Sequence, residues 1–263
     1  MITVKRFLIN YKVFRQTANK IGWVTALHYY IQRIFIRKGM IKVAVKGLKY
    51  PILLRAGAYD THIFHQIFIR EELKFEYDKN IQVVIDCGAN IGLSSLWYKM
   101  KFPKARIYAF EPEQENYKIL ELNTKNYNDI ITSKKGIFNK TCTLYIIDIG
   151  QGEASYQLRE DAGGFKVIGS VECTTLTDVL DSLKRNDIHF KIFDIVKMDV
   201  EGSEKACLQE SLSDWLKSTR TFLVEFHEDI HPGITNEIKS RLSSYMKISA
   251  QGEYTFFQNK LLQ

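Results

Sequence analysis

The stretch at residues 81–92, IQVVIDCGANIG, constrains the fold more than any other part of the sequence. A short apolar run ends in Asp86, passes through a loop that contains Gly88 and Gly92, and enters an amphipathic segment from Leu93 onward. The run before the loop is typical of a buried strand, whereas the spacing after it is helical. Parallel α/β sheets hold nucleotide-type cofactors at joints of this kind, where glycines connect a strand to a helix.

The rest of the chain continues this alternation of strands and helices. Strands are predicted at residues 81–86, 106–110, 130–134, 193–199, 221–226 and 254–257, and helices at residues 93–101, 113–127, 176–183, 203–210 and 234–246. Two further β-rich segments, residues 143–147 and 167–173, suggest an inserted hairpin or edge pair. Repeated βα alternation with buried-type strands predicts an α/β fold, in which a mostly parallel sheet carries helices on both faces.

Positive charge is concentrated in the first fifty residues. They contain eleven of the 37 Lys and Arg and no Asp or Glu, which leaves 26 basic against 30 acidic residues for the remaining chain. The same region has an apolar helical face, made by Trp23, Leu27, Tyr30, Ile31 and Ile34. Two interpretations stay open: the helices pack on the main domain, or residues 1–38 contact an anionic membrane or a lipid-linked substrate.

These patterns divide the chain into three segments. They are a basic amphipathic helical arm at residues 1–40, a β-hairpin and helical lead-in at residues 41–80, and the main domain at residues 81–263. Four widely spaced cysteines without a CxxC pair are typical of a reducing compartment. We find no signal peptide and no apolar run of the roughly 18 residues that a spanning helix needs. We therefore expect a cytoplasmic protein, with peripheral contact at the inner face of the membrane if the arm binds lipid.

The glycine loop itself limits the choice of cofactor. Leu93 follows Gly92 where a phosphate-binding P-loop needs lysine, and the loop lacks the third glycine of the dinucleotide fingerprint. Asn90 lies between the glycines, and asparagine enters left-handed conformations more easily than most residues. Asp86 disfavours a pyrophosphate but favours a ligand that carries an ammonium and a sulfonium. The loop therefore predicts S-adenosylmethionine, with contacts from Asp86, Gly88, Ala89, Asn90 and Gly92.

A second cofactor contact is predicted at the end of the next strand. Glu111 follows Gly88 by 23 residues, which is close to the spacing at which an acid accepts hydrogen bonds from both ribose hydroxyls. Pro112 removes a backbone donor and ends the strand there, so we place both residues at the cofactor. The alternative is that Glu111 only caps the next helix or interacts with its dipole.

Two acidic segments follow the later parallel strands. Asp199 ends one strand, and Glu201 and Glu204 lie just beyond it at a helix start. Glu225 and His227 end the following strand and, by alternation, point to one side of it. Ligands bind at the carboxyl edge of such sheets, so these residues are candidates for the reacting end of the site. The simpler alternatives are a helix-dipole role for Glu204 and a structural role for His227.

Residues 227–231 also match the HExxH pattern of zinc metalloproteases. That chemistry needs a helix, so that both histidines share one face and the glutamate activates the zinc-bound water. Here Pro232 and Gly233 follow at once, and a residue that precedes proline, as His231 does, is disfavoured in the helical conformation. We therefore treat a zinc metalloprotease as a remote alternative.

Four ordered motifs resemble those of the FkbM-type methyltransferases, a branch of the class I S-adenosylmethionine-dependent enzymes. They are DCGANIG at residues 86–92, AFEP at residues 109–112, KMDVEGSE at residues 197–204 and VEFH at residues 224–227. The resemblance covers about residues 45–230. It implies a Rossmann-like fold with a seven-stranded sheet, so that residues 81–263 form the methyltransferase domain. Gly136 stands where the family often has alanine, which places it among the cofactor contacts.

The family also implies O-methylation, often of sugar hydroxyls in polysaccharides or natural products. In such a reaction a hydroxyl attacks the methyl group of the sulfonium in line, while a base takes the hydroxyl proton. Asp199 and His227 are the candidate bases, and Glu225 is expected to orient the imidazole. Glu201 and Glu204 are expected to bind sugar hydroxyls. The scheme requires no metal.

The expected partner is a glycan or another hydroxyl-bearing molecule, in keeping with polysaccharide biosynthesis. Nucleic acid is not expected, because the sole basic region is the aromatic-rich arm and the chain lacks an (Asn/Asp)PP(Tyr/Phe)-like motif. A non-catalytic binding module with a degenerate methyltransferase fold is the alternative from another functional class. The sequence leaves the acceptor and the oligomeric state open.

Overall fold

A computed structural model describes residues 2–78, 80–150, 156–208 and 214–262, with side chains from residue 11 onward. The chain divides into two compact units, Met1–Glu72 and Leu73–Gln263. Residues 209 and 210, which the sequence analysis placed in a helix at residues 203–210, lie outside the described residues. Among the helices that are described, none is long and apolar enough to cross a membrane.

The first unit combines helices with a two-stranded sheet. Its elements are α1 (Ile2–Ile21), α2 (Trp23–Phe35), β1 (Met40–Val43), β2 (Ile52–Arg55) and α3 (Asp60–Phe64), which continues as a π-helical turn at His65–Ile69. Gly22 separates the first two helices with a φ of +91°, a conformation that L side chains rarely adopt. The strands pair antiparallel. Tyr29 is fully buried, and its ring lies 5.5 Å from that of Phe64, so α2 packs against α3 through this side chain.

The second unit contains two sheets and the helices that connect their strands. Its elements are β3 (Val83–Cys87), α4 (Leu93–Lys101), β4 (Arg106–Phe110), α5 (Gln114–Thr124), β5 (Ile130–Ser133), β6 (Gly136–Ile137), β7 (Cys142–Asp148), β8 (Gln157–Arg159), β9 (Lys166–Thr174), α6 (Leu176–Asn186), β10 (Phe193–Met198), α7 (Glu204–Leu208), α8 (Asp214–Lys217), β11 (Thr219–Glu225), α9 (Ile234–Leu242), β12 (Met246–Gln251) and β13 (Tyr254–Asn259).

The main sheet has seven strands in the order β12-β13-β11-β10-β3-β4-β5. The five strands from β11 to β5 are parallel, and β13 and β12 join antiparallel at one edge. This arrangement confirms the Rossmann-like α/β fold with a mostly parallel, seven-stranded sheet. The placement of helices on both of its faces stays a prediction.

The strand order reverses at the centre of this sheet, between β3 and β10. From β3 the chain continues to β4 on one side, and it returns later to β10 on the other side. The register places Asp86 beside Lys197 and Cys87 beside Met198. Ligands bind in the crevice outside the carboxyl ends of strands at such a switch point. The fold therefore brings the predicted glycine loop and the predicted Asp199 segment to one edge.

Two segments differ from the expectation drawn from the sequence. The helix predicted to reach residue 246 ends at Leu242, and Met246–Gln251 is a strand instead. That strand pairs along its whole length with β13, which satisfies its backbone groups in the sheet. The β-rich insertion is larger than a hairpin, because its strands form a separate sheet in the order β6-β9-β7-β8.

Candidate active site

The loop after β3 is fixed by the ends of both neighbouring strands. The backbone N–H groups of Gly88 and Ala89 donate to the carbonyl of Phe110, at 3.0 and 2.9 Å. On the other side, the N–H of Asp199 donates to the carbonyl of Cys87 at 3.1 Å. A β-carbon on Gly88 would lie 1.7 Å from the carbonyl oxygen of Asp199, and the residue has a φ of +74°. Glycine is therefore required here for close approach as well as for backbone conformation.

The rest of the loop turns through left-handed conformations. Asn90 has a φ of +48°, as its residue type predicted, and its side-chain oxygen accepts a hydrogen bond from the N–H of Ile91 at 2.8 Å. Gly92 follows with a φ of +88° and begins α4. These turns leave a compact loop at the carboxyl edge, between the ends of β4 and β10.

Asp86 is completely buried below this loop. The hydroxyls of Ser94 and Ser95 each donate to its Oδ2 at 2.6 Å, which ties the strand to the first turn of α4. Its Oδ1 lies 3.5 Å from the Nζ of Lys197. Asp86 was expected to face a cationic ligand, but its carboxylate instead contacts two hydroxyls and a buried ammonium group.

Lys197 joins the glycine loop to Asp199 and was not among the predicted site residues. Its Nζ donates to the carbonyl of Gly88 at 2.8 Å and lies 3.2 Å from Oδ2 of Asp199. Burial alone would lower the pKa of Lys197, but the charges of Asp199 and Asp86 outweigh it and raise the pKa above its ordinary value. The sequence did contain a signal for this contact, because Lys197 lies inside an apolar strand and a fully buried lysine needs acidic partners.

Glu111 lies at the end of β4, as predicted, and is buried. One carboxylate oxygen accepts a hydrogen bond from the N–H of Asn90 at 2.8 Å, and the other accepts one from the N–H of Glu113 at 3.0 Å. Each oxygen keeps a second acceptor position, so the group can also bind two ribose hydroxyls. The cap of α5 is Glu113, whose side chain accepts from the N–H of Asn116, which argues against a capping role for Glu111. These free acceptor positions fit the ribose of S-adenosylmethionine.

The ionisation of Glu111 predicts how cofactor affinity depends on pH. Burial raises the pKa of this carboxyl to about 7, against the opposing effect of its two backbone hydrogen bonds. Ribose hydroxyls need the ionised form as acceptor, so we expect the affinity for S-adenosylmethionine to level off above pH 7. It should fall by up to about tenfold per pH unit below that value. Titration calorimetry at pH 8, 7 and 6 measures this directly.

The matched control for this prediction is Glu111→Gln, which removes the titrating group and keeps its shape. The variant should bind S-adenosylmethionine more weakly than the native protein at pH 8, and its affinity should no longer change between pH 8 and 6. If the native affinity were constant across the same range, Glu111 would not be the ribose acceptor.

A histidine between two glutamates forms the other half of the site. Nδ1 of His227 is 2.9 Å from Oε1 of Glu204, and its Nε2 is 3.2 Å from Oε2 of Glu201. Glu204 is completely buried and also accepts hydrogen bonds from the N–H groups of Gly202 and Val200, at 2.9 and 3.1 Å. Glu204 therefore has a fixed position, and through it the orientation of the imidazole is fixed.

This arrangement corrects the roles that the sequence analysis gave to His227 and Glu204. Burial alone would lower the pKa of His227, but hydrogen bonds to Glu201 and Glu204 and their charges raise it to about 12. The ring is therefore protonated at neutral pH and cannot take a proton from a hydroxyl. Glu204 cannot bind a sugar, because it is completely buried.

Glu225 was expected to orient the imidazole of His227. In the structure Glu201 and Glu204 orient the ring instead. Burial raises the pKa of Glu225 to about 9, and the negative charges of Asp199 and Glu253 add to the rise. The carboxyl is therefore protonated at neutral pH. Alternation along a strand placed Glu225 and His227 on one side, but β11 ends at Glu225 and His227 lies in the following loop.

Two carboxylates at this edge are partly open to solvent. The side chain of Asp199 is 23% exposed and that of Glu201 is 25% exposed. The hydroxyl of Tyr254 donates to Oδ2 of Asp199 at 3.4 Å. Glu201 has a φ of +49°, which is uncommon for this residue type. A substrate can therefore reach both Asp199 and Glu201.

Asp199, Glu201 and His227 also offer ligand atoms that all lie within 4.8 Å of one another. Such a set is chemically able to bind a divalent cation. In the structure Nε2 of His227 is engaged by Glu201, and a cation there would replace that hydrogen bond. The scheme without a metal stays a prediction.

The HExxH alternative fails on geometry. The segment from His227 to His231 is a turn, not a helix, and Nε2 of His231 interacts with the carbonyl of Gly202 at 3.0 Å. The carboxylate of Glu228 accepts hydrogen bonds from the N–H groups of Gly233 and Thr235, at 2.6 and 2.8 Å, and so caps α9. The two histidines and the glutamate therefore have separate structural partners, and the zinc metalloprotease interpretation is wrong.

Two other cofactor contacts were predicted, at Pro112 and Gly136. Pro112 directly follows Glu111 and is half-buried. Gly136 lies in β6, where a β-carbon would be 2.5 Å from Cδ1 of Leu158 and 2.8 Å from Sγ of Cys173. Packing inside the small sheet thus explains the glycine, and its contact with the cofactor stays a prediction.

Comparison with known proteins gives several matches. A family model described as the methyltransferase FkbM domain matches residues 86–247. Methyltransferase sdnD of Sordaria araneosa is 31% identical over 188 residues, which is 60% of this chain and 71% of that protein. The solved structure of methyltransferase FkbM from Methylobacillus flagellatus KT has a TM-score of 0.44 at 17% identity, over 74% of this chain and 47% of that chain. The N-terminal domain of human METTL16 in complex with SAH has a TM-score of 0.38 at 12% identity, over 90% of this chain and 82% of that chain.

The family match begins at Asp86 and extends past His227, so it contains the glycine loop, Glu111 and the cluster around Asp199. This span is more than half of the chain, and it covers the described residues of the candidate site except Tyr254. The chain belongs to the FkbM methyltransferase family, and its methyl donor is S-adenosylmethionine.

Proposed function

We propose that this methyltransferase methylates oxygen, and that its acceptor is a hydroxyl of a sugar in a polysaccharide or glycan precursor. The observation that carries the proposal is the pair of accessible carboxylates, Asp199 and Glu201, next to the cofactor loop. Asp199 is in backbone contact with that loop, since its N–H donates to the carbonyl of Cys87. Carboxylates are acceptors for hydroxyl groups, and two of them at one edge suit a sugar that presents neighbouring hydroxyls.

Asp199 is the base in this scheme. When bound, S-adenosylmethionine would supply a methyl group on a sulfonium, and attack by the hydroxyl oxygen would release S-adenosylhomocysteine with the electron pair of the broken carbon–sulfur bond. The hydroxyl proton passes to the carboxylate of Asp199 during the attack. Lys197 holds this carboxylate at 3.2 Å and also binds the carbonyl of Gly88 at 2.8 Å. One buried ammonium group thus fixes the distance between the base and the cofactor loop.

Glu201 has the role of binding the sugar, and His227 positions it. The protonated imidazole donates to Glu201 and to the buried Glu204, so the position of Glu201 is set from inside the protein. His227 is a positioning residue in this scheme and not a base. Glu225, protonated at neutral pH, adds no further negative charge next to Asp199.

The cysteines support a reducing compartment as the place of this reaction. Cys87, Cys142, Cys173 and Cys207 are all free thiols, and three of them are buried. Burial raises the pKa of the Cys87 thiol, which keeps it protonated and unreactive. We place the reaction in the cytoplasm on this basis.

The proposal is tested by labelled methyl transfer to cell fractions. Purified protein is incubated with methyl-labelled S-adenosylmethionine and with the glycan, lipid, protein and nucleic acid fractions of cells that lack it. We expect label in the glycan fraction, in methyl groups that survive alkali and are released as methylated monosaccharides on acid hydrolysis. Ether linkages resist alkali, whereas methyl esters do not.

Two outcomes would contradict the proposal. Label in another fraction, or alkali-labile label, would assign a different acceptor. Failure of the protein to bind S-adenosylmethionine by calorimetry would favour the non-catalytic module with a degenerate methyltransferase fold. The control is the same incubation with excess S-adenosylhomocysteine, which should suppress genuine transfer.

A further inference from the structure

The second helix of the first unit exposes an apolar face. Six residues form this face, which we call the apolar strip: Trp23, Val24, Leu27, Ile31, Ile34 and Phe35. Their exposed fractions range from 43% at Ile31 to 84% at Val24. At 3.6 residues per turn, all six fall within a sector of about 120° around the helix. Exposed apolar residues are common singly, but a continuous strip along one side of a helix marks an interaction surface.

The opposite side of α2 is already packed. Ala26 and Tyr29 are fully buried, and Gln32 exchanges two hydrogen bonds with the backbone of Lys42, at 2.8 and 2.9 Å. Tyr30 is half-buried, with its ring 5.4 Å from that of Phe14. The helix is therefore held by residues on one side, while the apolar strip on its other side is left to face solvent.

The first fifty residues carry exposed charges of one sign. Nine basic residues with described side chains are exposed in this region: Lys12, Arg15, Lys20, Arg33, Arg37, Lys38, Lys42, Lys46 and Lys49. Arg37 and Lys38 follow the C-cap residue of α2. Arg33 lies within the helix, with its guanidinium 5.6 Å from the ring centroids of Tyr29 and Tyr30. The first fifty residues contain no Asp or Glu to neutralise them. Of the nine, Lys20 forms an ion pair with Glu71 at 2.6 Å.

We propose that this face binds the surface of an anionic membrane, with α2 lying in the plane of the interface. The apolar strip would enter the boundary between headgroups and acyl chains, and the exposed cations would contact anionic headgroups. Nucleic acid would satisfy the cations but leave the apolar strip in water. A second copy of this chain would bring cations against cations. The inference goes beyond the proposed function, because it does not depend on which molecule accepts the methyl group.

The chain carries its own reporter for the test. It has three tryptophans, and Trp97 and Trp215 are buried, whereas Trp23 is 55% exposed on the apolar strip. On mixing the full-length protein with vesicles of phosphatidylcholine and about 30% phosphatidylserine, we expect the emission of Trp23 to shift to the blue. Brominated acyl chains should quench that emission. Vesicles of phosphatidylcholine alone, or 0.5 M salt, should weaken binding by about tenfold or more.

Paired variants separate membrane binding from loss of fold. The double substitution Ile31→Ser and Ile34→Ser changes two exposed side chains, so folding should be retained, and sedimentation with anionic vesicles should fall by about tenfold or more. The matched control is Ile188→Ser, since Ile188 is 88% exposed but lies in the other unit; its sedimentation should equal that of the native protein. Circular dichroism melting confirms that each variant is folded.

Three results would overturn the proposal. One is an emission spectrum of Trp23 that does not change with vesicles. Another is equal sedimentation of the double variant and the native protein. The third is binding of a different partner in place of the membrane, seen either as a dimer in analytical ultracentrifugation that the double variant dissociates or as a nucleic acid complex that competes with vesicle binding at equal concentration.

Discussion

Replacement of Gly88 by alanine should abolish binding of S-adenosylmethionine and lower the free energy of unfolding by about 4 kcal/mol or more. The new β-carbon would lie 1.7 Å from the carbonyl oxygen of Asp199, and both positions belong to the backbone. No side-chain rotation can relieve that overlap, so the ends of β3 and β10 must separate. Their separation would break the hydrogen bond from Asp199 to Cys87 and move Lys197 away from the carbonyl of Gly88. Calorimetry and urea unfolding measure the two effects.

The matched control is Gly233→Ala. Gly233 has a φ of +85°, similar to that of Gly88, but no atom lies within 4 Å of the position that its β-carbon would take. This substitution should therefore show only the conformational cost of a left-handed residue, about 1 to 2 kcal/mol. A loss at Gly88 no larger than the loss at Gly233 would mean that the close approach of Asp199 does not constrain the loop.

The positions that the sequence predicted best are those whose signal is local. The strand, loop and helix at residues 81–101 follow from an apolar run, two glycines and helical spacing. Glu111 was placed correctly at the end of β4 because the carboxyl ends of parallel strands meet at one edge. The same rule brought Asp199 to that edge. Each of these predictions needs only the order of elements along the chain and the topology of a parallel sheet.

The roles that the sequence did not predict depend on pairing between distant segments. Lys197 contacts Asp86, and the two are 111 residues apart, so only the register of β3 against β10 brings them together. The partners of His227 were missed for a related reason. Alternation holds within a strand, and the chain leaves β11 before His227, which lets the ring turn to Glu204 at the start of α7.

The N-terminal helices show a limit of helical spacing as a guide. The pattern grouped Trp23, Leu27, Tyr30, Ile31 and Ile34 on one side of α2. Four of them are exposed there, whereas Tyr30 is half-buried against Phe14, and the pattern could not show which side of the helix is packed. The packed side is that of Ala26 and Tyr29, two buried residues that the predicted apolar face did not include. A helix with apolar residues on two sides must cover the second side with another protein surface or with lipid. The membrane proposal is based on this requirement.

Substitution of Asp199 by asparagine should lower the rate of methyl transfer by a factor of about 10² to 10⁴, the usual contribution of a positioned base. Asparagine has nearly the same shape but cannot take the proton of the acceptor hydroxyl. The affinity for S-adenosylmethionine should stay within a few-fold of the native value. Its side-chain oxygen can still accept from Tyr254, and Lys197 keeps the carbonyl of Gly88 and the carboxylate of Asp86 as partners.

Two further variants show whether Asp199 acts as the base or only as a structural carboxylate. Tyr254→Phe removes only the hydroxyl that donates to Asp199 at 3.4 Å, and it should reduce the rate by less than about tenfold. Glu201→Gln should raise KM for the acceptor more than it lowers kcat, because Glu201 binds the sugar and takes no proton. If Glu201→Gln abolished turnover while Asp199→Asn left it intact, the base would be Glu201. In that case the protonated His227, hydrogen-bonded to Glu201 at 3.2 Å, would be the group that sets the basicity of the base.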